Sequence, residues 1–143
     1  MTVHLLDVNV LLAIHDPMHP LHRRAYRWFQ DVHNQGWATC PITENGFVRI
    51  SSNPNNRGLD LTPAACAAAL SLTCESGNHQ FWPDDISVRD LLKSETRMTH
   101  RQFPDLYLLA LAIEHGGTFA TLDEHIPAHV LPGGSEALEL IPA

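Results

Sequence analysis

The chain has 143 residues, 44% hydrophobic and 17% charged, with a formal net charge of −7 and ten histidines. That length and apolar content fit one domain, residues 1–143, with a sizeable core and exclude a disordered segment. The acid surplus argues against nucleic-acid binding through a broad basic surface, although acids gathered at one site would raise the count locally and bound cations would offset part of it.

In chain order, residues 2–6 read as a short buried strand ending at Asp7, and residues 9–14 as a short helix stopped by Asp16-Pro17. A helix opens at His19-Pro20 and runs to about residue 34, with Leu21, Ala25, Trp28, Phe29 and Val32 at helical spacing and Gly36 after it. Trp37 to Cys40 suggests a second strand, and Thr43 an N-cap for a helix carrying Glu44, Phe47, Val48 and Ile50. The polar run from Ser51 to Gly58 predicts a loop. Thr62-Pro63 is a strong helix start, and the Ala-rich helix it opens runs to about Glu75, ahead of Gly77. Phe81-Trp82-Pro83 fits a short extended piece. Ser87 and Asp90 form a near capping box before Leu91 and Leu92. A helix over Asp105–His115 ends at Gly116-Gly117, followed by a strand over Thr118–Thr121 and a last one within 137–141. Strands alternating with helices predict an α/β domain whose largely parallel sheet is covered on both faces.

Four acids stand at the edges of these elements. Asp7 and Asp123 follow strands directly, where open α/β sheets place their sites. Glu44 and Asp105 fall in first turns of helices, where the dipole favours negative charge and an acid is also a routine capping feature. Together they form the set of oxygen donors that a hard divalent cation requires. The three cysteines, Cys40, Cys66 and Cys74, are widely spaced and fit cytoplasmic thiols; a metal site built on them would need a tighter cluster. His19 and His22 lie at i,i+3, but capping or surface roles are commoner for such a pair than a zinc site. No apolar run is long enough for a membrane span, and the N-terminus has no basic region of a signal peptide.

The segments around these acids carry a family likeness. Leu6-Asp7-Val8-Asn9-Val10-Leu11-Leu12, Ile42-Thr43-Glu44 with Phe47-Val48-Arg49-Ile50, Pro104-Asp105 with its apolar helix, and Thr121-Leu122-Asp123 resemble, in order and spacing over residues 3–126, the PIN-domain ribonucleases. Within them the chain is similar to the toxins of VapBC-type toxin–antitoxin pairs. Pro104 departs from the small polar residue that often precedes the third acid, Leu106 stands where alanine is common, and Glu124-His125 does not cleanly match a further acid sometimes found after the fourth.

The resemblance implies a three-layer α/β/α fold with a central, mostly parallel sheet. It also implies a metal-dependent endoribonuclease, acting as a toxin on single-stranded or looped RNA and leaving a 5′-phosphate and a 3′-hydroxyl. Asp7, Glu44, Asp105 and Asp123 match the family's catalytic, metal-binding positions for Mg²⁺ or Mn²⁺, with Asn9 and Thr121 as their polar supports. Arg49, Arg57, Arg89, Lys93, Arg97 and Arg101 are candidate RNA contacts. A cognate antitoxin and a homodimer are the partners it implies. Two alternatives stay open: another metal-dependent phosphoryl hydrolase, for which no P-loop is present, and a non-catalytic RNA- or protein-binding PIN-like domain.

Overall fold

The computed structural model describes residues 1–56, 61–91 and 98–143. Five strands form one sheet: β1 (His4–Leu6), β2 (Trp37–Thr39), β3 (His79–Phe81), β4 (Thr118–Thr121) and β5 (Leu138–Leu140). Their order is β3-β2-β1-β4-β5 and every pairing is parallel. The connections carry helices α1 (Val8–His15), α2 (His22–Val32), α3 (Pro41–Ser51), α4 (Pro63–Cys74), α5 (Phe103–Glu114) and the short α6 (Gly134–Ala137). The expected α/β architecture is therefore present.

Successive strand residues face opposite sides of a pleated sheet, and this divides the core in two. Leu5, Ala38 and Phe119 pack with Leu106, Leu109 and Leu111 of α5 on one face. Leu6, Trp37 and Ala120 pack on the other with α1, with Ala25, Trp28 and Phe29 of α2, with Phe47 of α3, and with Cys66 and Leu70 of α4. Seven consecutive buried residues of α5, Leu106 to Ala112, explain its uninterrupted apolar sequence, because a helix wedged between sheet and loops has little solvent face.

Several elements differ from the sequence reading: α2 begins at His22 instead of His19-Pro20, α5 begins at Phe103 so that Pro104 lies in its first turn, and α6 has no counterpart in that reading. α3 begins at Pro41 with Cys40 as its N-cap, so Thr43 is not the cap but its N3 partner; the Thr43 hydroxyl accepts the Cys40 N–H at 3.0 Å. The third strand is His79–Phe81, two residues earlier than the extended piece expected over 81–83, with Trp82 just after it. Ser87 does cap a turn, but it is only the 3₁₀ turn Val88–Asp90.

Gly117 fixes the approach of α5 to β1. A Cβ there would lie 2.3 Å from the Val3 carbonyl oxygen, which accepts the Thr118 N–H at 3.0 Å. Gly117→Ala is expected to cost about 2–3 kcal/mol through overpacking against backbone. Urea unfolding checks this: the midpoint should fall with the slope unchanged.

Candidate functional site

The chain leaves β1 toward β2 on one side and later returns through β4 on the other, so β1 and β4 flank a switch in strand order. Loops diverge at the carboxyl ends of such strands and leave a crevice. Asp7 follows β1 as the N-cap of α1, and its Oδ1 accepts the Val8 N–H at 2.7 Å. Its Oδ2 accepts the Thr121 hydroxyl at 2.8 Å. Thr121, the last residue of β4, is fully buried and acts as the hub of this end of the sheet. Its Oγ1 also accepts from Asn9 Nδ2 at 3.3 Å and from the Asp123 N–H at 3.0 Å, while Asn9 Oδ1 accepts the Leu122 N–H at 3.2 Å. One hydroxyl and one amide thus tie the β1 exit to the β4 exit.

Asp105 arrives from the opposite direction, in the first turn of α5, and its charge is felt together with those of Asp7 and Asp123. Burial, and then the charges of Asp7 and Asp123, push its carboxyl up to about 7. Asp7 is only 6% exposed; burial pushes its carboxyl up to about 6, against the two hydrogen bonds that favour the ionised form and with a further push from Asp123. Carboxylates held together, partly desolvated and mutually repelling, are destabilised when ionised unless a cation joins them. The donors are all oxygen, the chemistry that suits Mg²⁺ or Mn²⁺.

A groove of about 580 Å³ opens over Asp7 and Asp105. The α3 residues that line it are Ile42, Asn45, Gly46 and Arg49, along with Pro41 and Ile50. Glu44 is not among them. Thr43 and Phe47 are buried and set the inward face of α3, so positions 42, 46 and 49 turn to one flank and 44 and 48 to the other, with Asn45 between them lining both grooves. The structure thus brings Asp7, Asp105 and Asp123 together and does not bring the fourth expected acid to them. Glu44 instead accepts the Thr39 hydroxyl on Oε2 at 2.6 Å and lies on a second groove with Cys74 and His79.

Two groove residues escaped the sequence reading. Asn45 is a polar α3 residue that lines this groove as well as the one along Glu44, and it could have been found by placing Thr43 and Phe47 inward at i,i+4. Asp84 lines the same groove; burial raises its carboxyl, and its Oδ1 is sealed from solvent with no hydrogen-bond partner among the described residues. No local pattern flagged it, because it lies in an irregular segment after Trp82. Among the candidate RNA contacts, Arg49 lines the groove and Arg89 and Arg101 are exposed. Arg57, Lys93 and Arg97 lie outside the described residues.

Among the described residues, Glu44, Cys74 and His79 also form a candidate metal-coordinating cluster, their ligand atoms all within 4.8 Å of one another. This amends the expectation that the cysteines were too dispersed to contribute to a metal site. Burial, and then the charge of Glu44, push the Cys74 thiol up to about 11, so it is neutral when no metal is present. No helix among the described residues is long and apolar enough to cross a membrane.

The PIN domain family model matches residues 4–129. The chain is 41% identical over 136 residues to Ribonuclease VapC39 of Mycobacterium tuberculosis, covering 94% of this chain and 98% of that protein. It is 39% identical over 137 residues to Ribonuclease VapC44 of the same organism, covering 92% and 94%, and 39% identical over 119 residues to Ribonuclease VapC38, covering 83% and 84%.

Proposed function

The chain belongs to the PIN-domain family, and from that premise we propose that it is a divalent-metal-dependent endoribonuclease acting as the toxin of a toxin–antitoxin pair. The observation that carries the proposal is the meeting of Asp7, Asp105 and Asp123 at the carboxyl edge of the sheet, where the charge of Asp123 raises the cost of ionising Asp7 and the charges of Asp7 and Asp123 raise that of Asp105. The three relatives named as ribonucleases support the activity. The single sheet that runs from β1 to β5 supports reading residues 1–143 as one PIN-like unit.

In this reading Asp7, Asp105 and Asp123 hold Mg²⁺ or Mn²⁺, which when bound supplies an activated water and offsets charge on the phosphate. Asp7 is pre-oriented by the Val8 N–H and the Thr121 hydroxyl, so its carboxylate needs no rearrangement to serve. Arg49 offers a cation on the α3 wall of the groove for the RNA backbone, and Asn45 a neutral amide able both to donate and to accept. Glu44, expected as a fourth ligand, is assigned no part in this centre because its carboxylate faces Thr39 and His79. The substrate is single-stranded or looped RNA, whose exposed bases and sugar hydroxyls are open to contact. An apolar hollow of about 330 Å³ lined by Leu12, Phe47, Leu61 and Ala65 supports docking of an apolar antitoxin segment.

The test is cleavage of varied single-stranded RNAs with and without Mn²⁺, comparing the native chain with the Asp7→Asn/Asp105→Asn double variant and mapping the new 5′ ends. Metal-independent cutting, or equal cutting by the double variant, would overturn the mechanism. Growth arrest on expression, relieved by a co-expressed antitoxin, tests the toxin role. A narrower expectation concerns Thr121. Thr121→Val keeps the shape of the side chain but removes the hydroxyl shared by Asp7, Asn9 and Asp123. Mn²⁺ affinity measured by titration calorimetry should fall about 10–100-fold, the usual effect of losing a group that orients a ligand.

A further inference from the structure

We propose that Glu44, Cys74 and His79 form a second, chemically distinct metal site, built for a borderline-soft transition ion of the Zn²⁺ class. The donors are a carboxylate oxygen, a thiol sulfur and an imidazole nitrogen, all half-buried and all within 4.8 Å of one another. Sulfur and imidazole favour zinc-like ions, whereas the oxygen-only aspartates suit hard ones, so the two centres differ in the ion each prefers.

The spacing fits the ion. With Zn–S of about 2.3 Å and Zn–N of about 2.0–2.1 Å at tetrahedral angles, sulfur and nitrogen donors lie about 3.6 Å apart. Cys74 Sγ and His79 Nε2 are 3.5 Å apart. The third donor is already oriented: the buried Thr39 hydroxyl donates to Glu44 Oε2 at 2.6 Å, the outer hydrogen bond that ligating carboxylates commonly carry. Thr39 Oγ1 also lies 2.8 Å from His79 Nε2, a contact the ion would replace.

The backbone brings these groups together by short, fixed connections. Cys74 ends α4 and His79 begins β3, and the turn between them contains Gly77 at a φ of +65°. A Cβ at Gly77 would lie 2.5 Å from the His33 carbonyl oxygen, so this turn has little room to relax. The His79 ring is braced against Trp37 at a centroid distance of 4.5 Å. A groove of about 610 Å³, with Phe81, Val48 and Leu70 on its walls, gives an ion access from solvent. Three protein ligands leave the fourth tetrahedral position to water. A bound ion would tie the start of α3 to the end of α4 and to β3.

The proposal does not depend on the nuclease reading, and its test is separate from activity. Co²⁺ serves as a spectroscopic stand-in for Zn²⁺ in titrations of the full chain. One equivalent should produce a near-ultraviolet thiolate-to-cobalt charge-transfer band and visible bands of tetrahedral intensity, both abolished by Zn²⁺. The band should persist in Asp105→Asn and be lost in Cys74→Ser, with far-ultraviolet circular dichroism verifying that the variant is folded. Absence of the band from the native chain, or its survival in folded Cys74→Ser, overturns the site. If Cys74→Ser does not fold, alkylation of the native chain mapped by mass spectrometry decides: Zn²⁺ should protect Cys74, and undiminished labelling of Cys74 refutes the proposal.

Discussion

Asp105→Asn is expected to abolish RNA cleavage while making the metal-free protein more stable. Loss of one carboxylate from the cation's donor set should cost about 4 kcal/mol of transition-state stabilisation, roughly a 10³-fold fall in kcat/KM. The stability effect has the opposite sign. Burial and the charges of Asp7 and Asp123 hold the Asp105 carboxyl at about 7, against an ordinary value of 3.8. At pH 8 the folded state therefore carries a charge that the unfolded chain bears at less cost. Asp105 is partly exposed, so solvent screening reduces the penalty, leaving a gain of about 1–2 kcal/mol on its removal. Loss of a favourable charge in the first turn of α5 offsets that gain by about 0.3–1 kcal/mol. A melting temperature raised by up to about 5 °C should follow in EDTA. With saturating Mn²⁺ the order should reverse, because the ion stabilises the native chain by mass action and binds the variant poorly. A variant that still cleaves RNA, or that melts lower in EDTA, would contradict the assignment of Asp105 to a strained carboxylate centre.

The same residues show where sequence reasoning reached and where it stopped. Asp7 and Asp123 were legible because a short apolar run ending in an acid marks both the strand and its exit, and Asp105 because its apolar helix begins beside it. Glu44 was legible only as an acid in a first turn. Which flank of α3 it occupies is set by Thr43 and Phe47 turning into the core, and the apolar run Phe47, Val48, Ile50 leaves that direction ambiguous in sequence. The same ambiguity hid Asn45. β3 was misplaced for a different reason: His79 and Gln80 are polar residues on an edge strand, so their pairing with Trp37 and Ala38 leaves no apolar pattern to read. Cys74 and His79 looked unrelated to Glu44 because their meeting depends on α4 packing against α3 and on β3 pairing with β2. Side-chain chemistry at the sheet's carboxyl edge could thus be read directly, whereas helix azimuth and edge pairing required tertiary contacts.

The metal-free protein should lose stability as pH rises from about 4 to about 7, and the cation should restore it most strongly above that window. Asp7 and Asp105 have folded-state values of about 6 and about 7, both above the ordinary 3.8. Between these limits the folded chain retains protons that the unfolded chain has released. The slope of unfolding free energy with pH is then negative; it is absent below about pH 4 and vanishes again once both groups are ionised. The combined loss is on the order of 4–5 kcal/mol after discounting Asp105 for its exposure. His15, His19 and His79 act in the opposite sense, since burial lowers each of them and folding then disfavours their charged forms below their ordinary range. The informative quantity is therefore the stability difference between the native chain and the Asp7→Asn/Asp105→Asn variant, in which the histidine contributions cancel. In EDTA that difference should shift against the native chain from pH 4 to pH 7 and then level off. Mn²⁺ binding requires ionised carboxylates, so its stabilising effect should be small at pH 5 and large at pH 8. Cleavage should fall over the same interval as pH is lowered, because protons and the cation compete for the same oxygens. A stability difference independent of pH, or Mn²⁺ stabilisation equal at pH 5 and pH 8, would show that these aspartates do not form the coupled site that the activity requires.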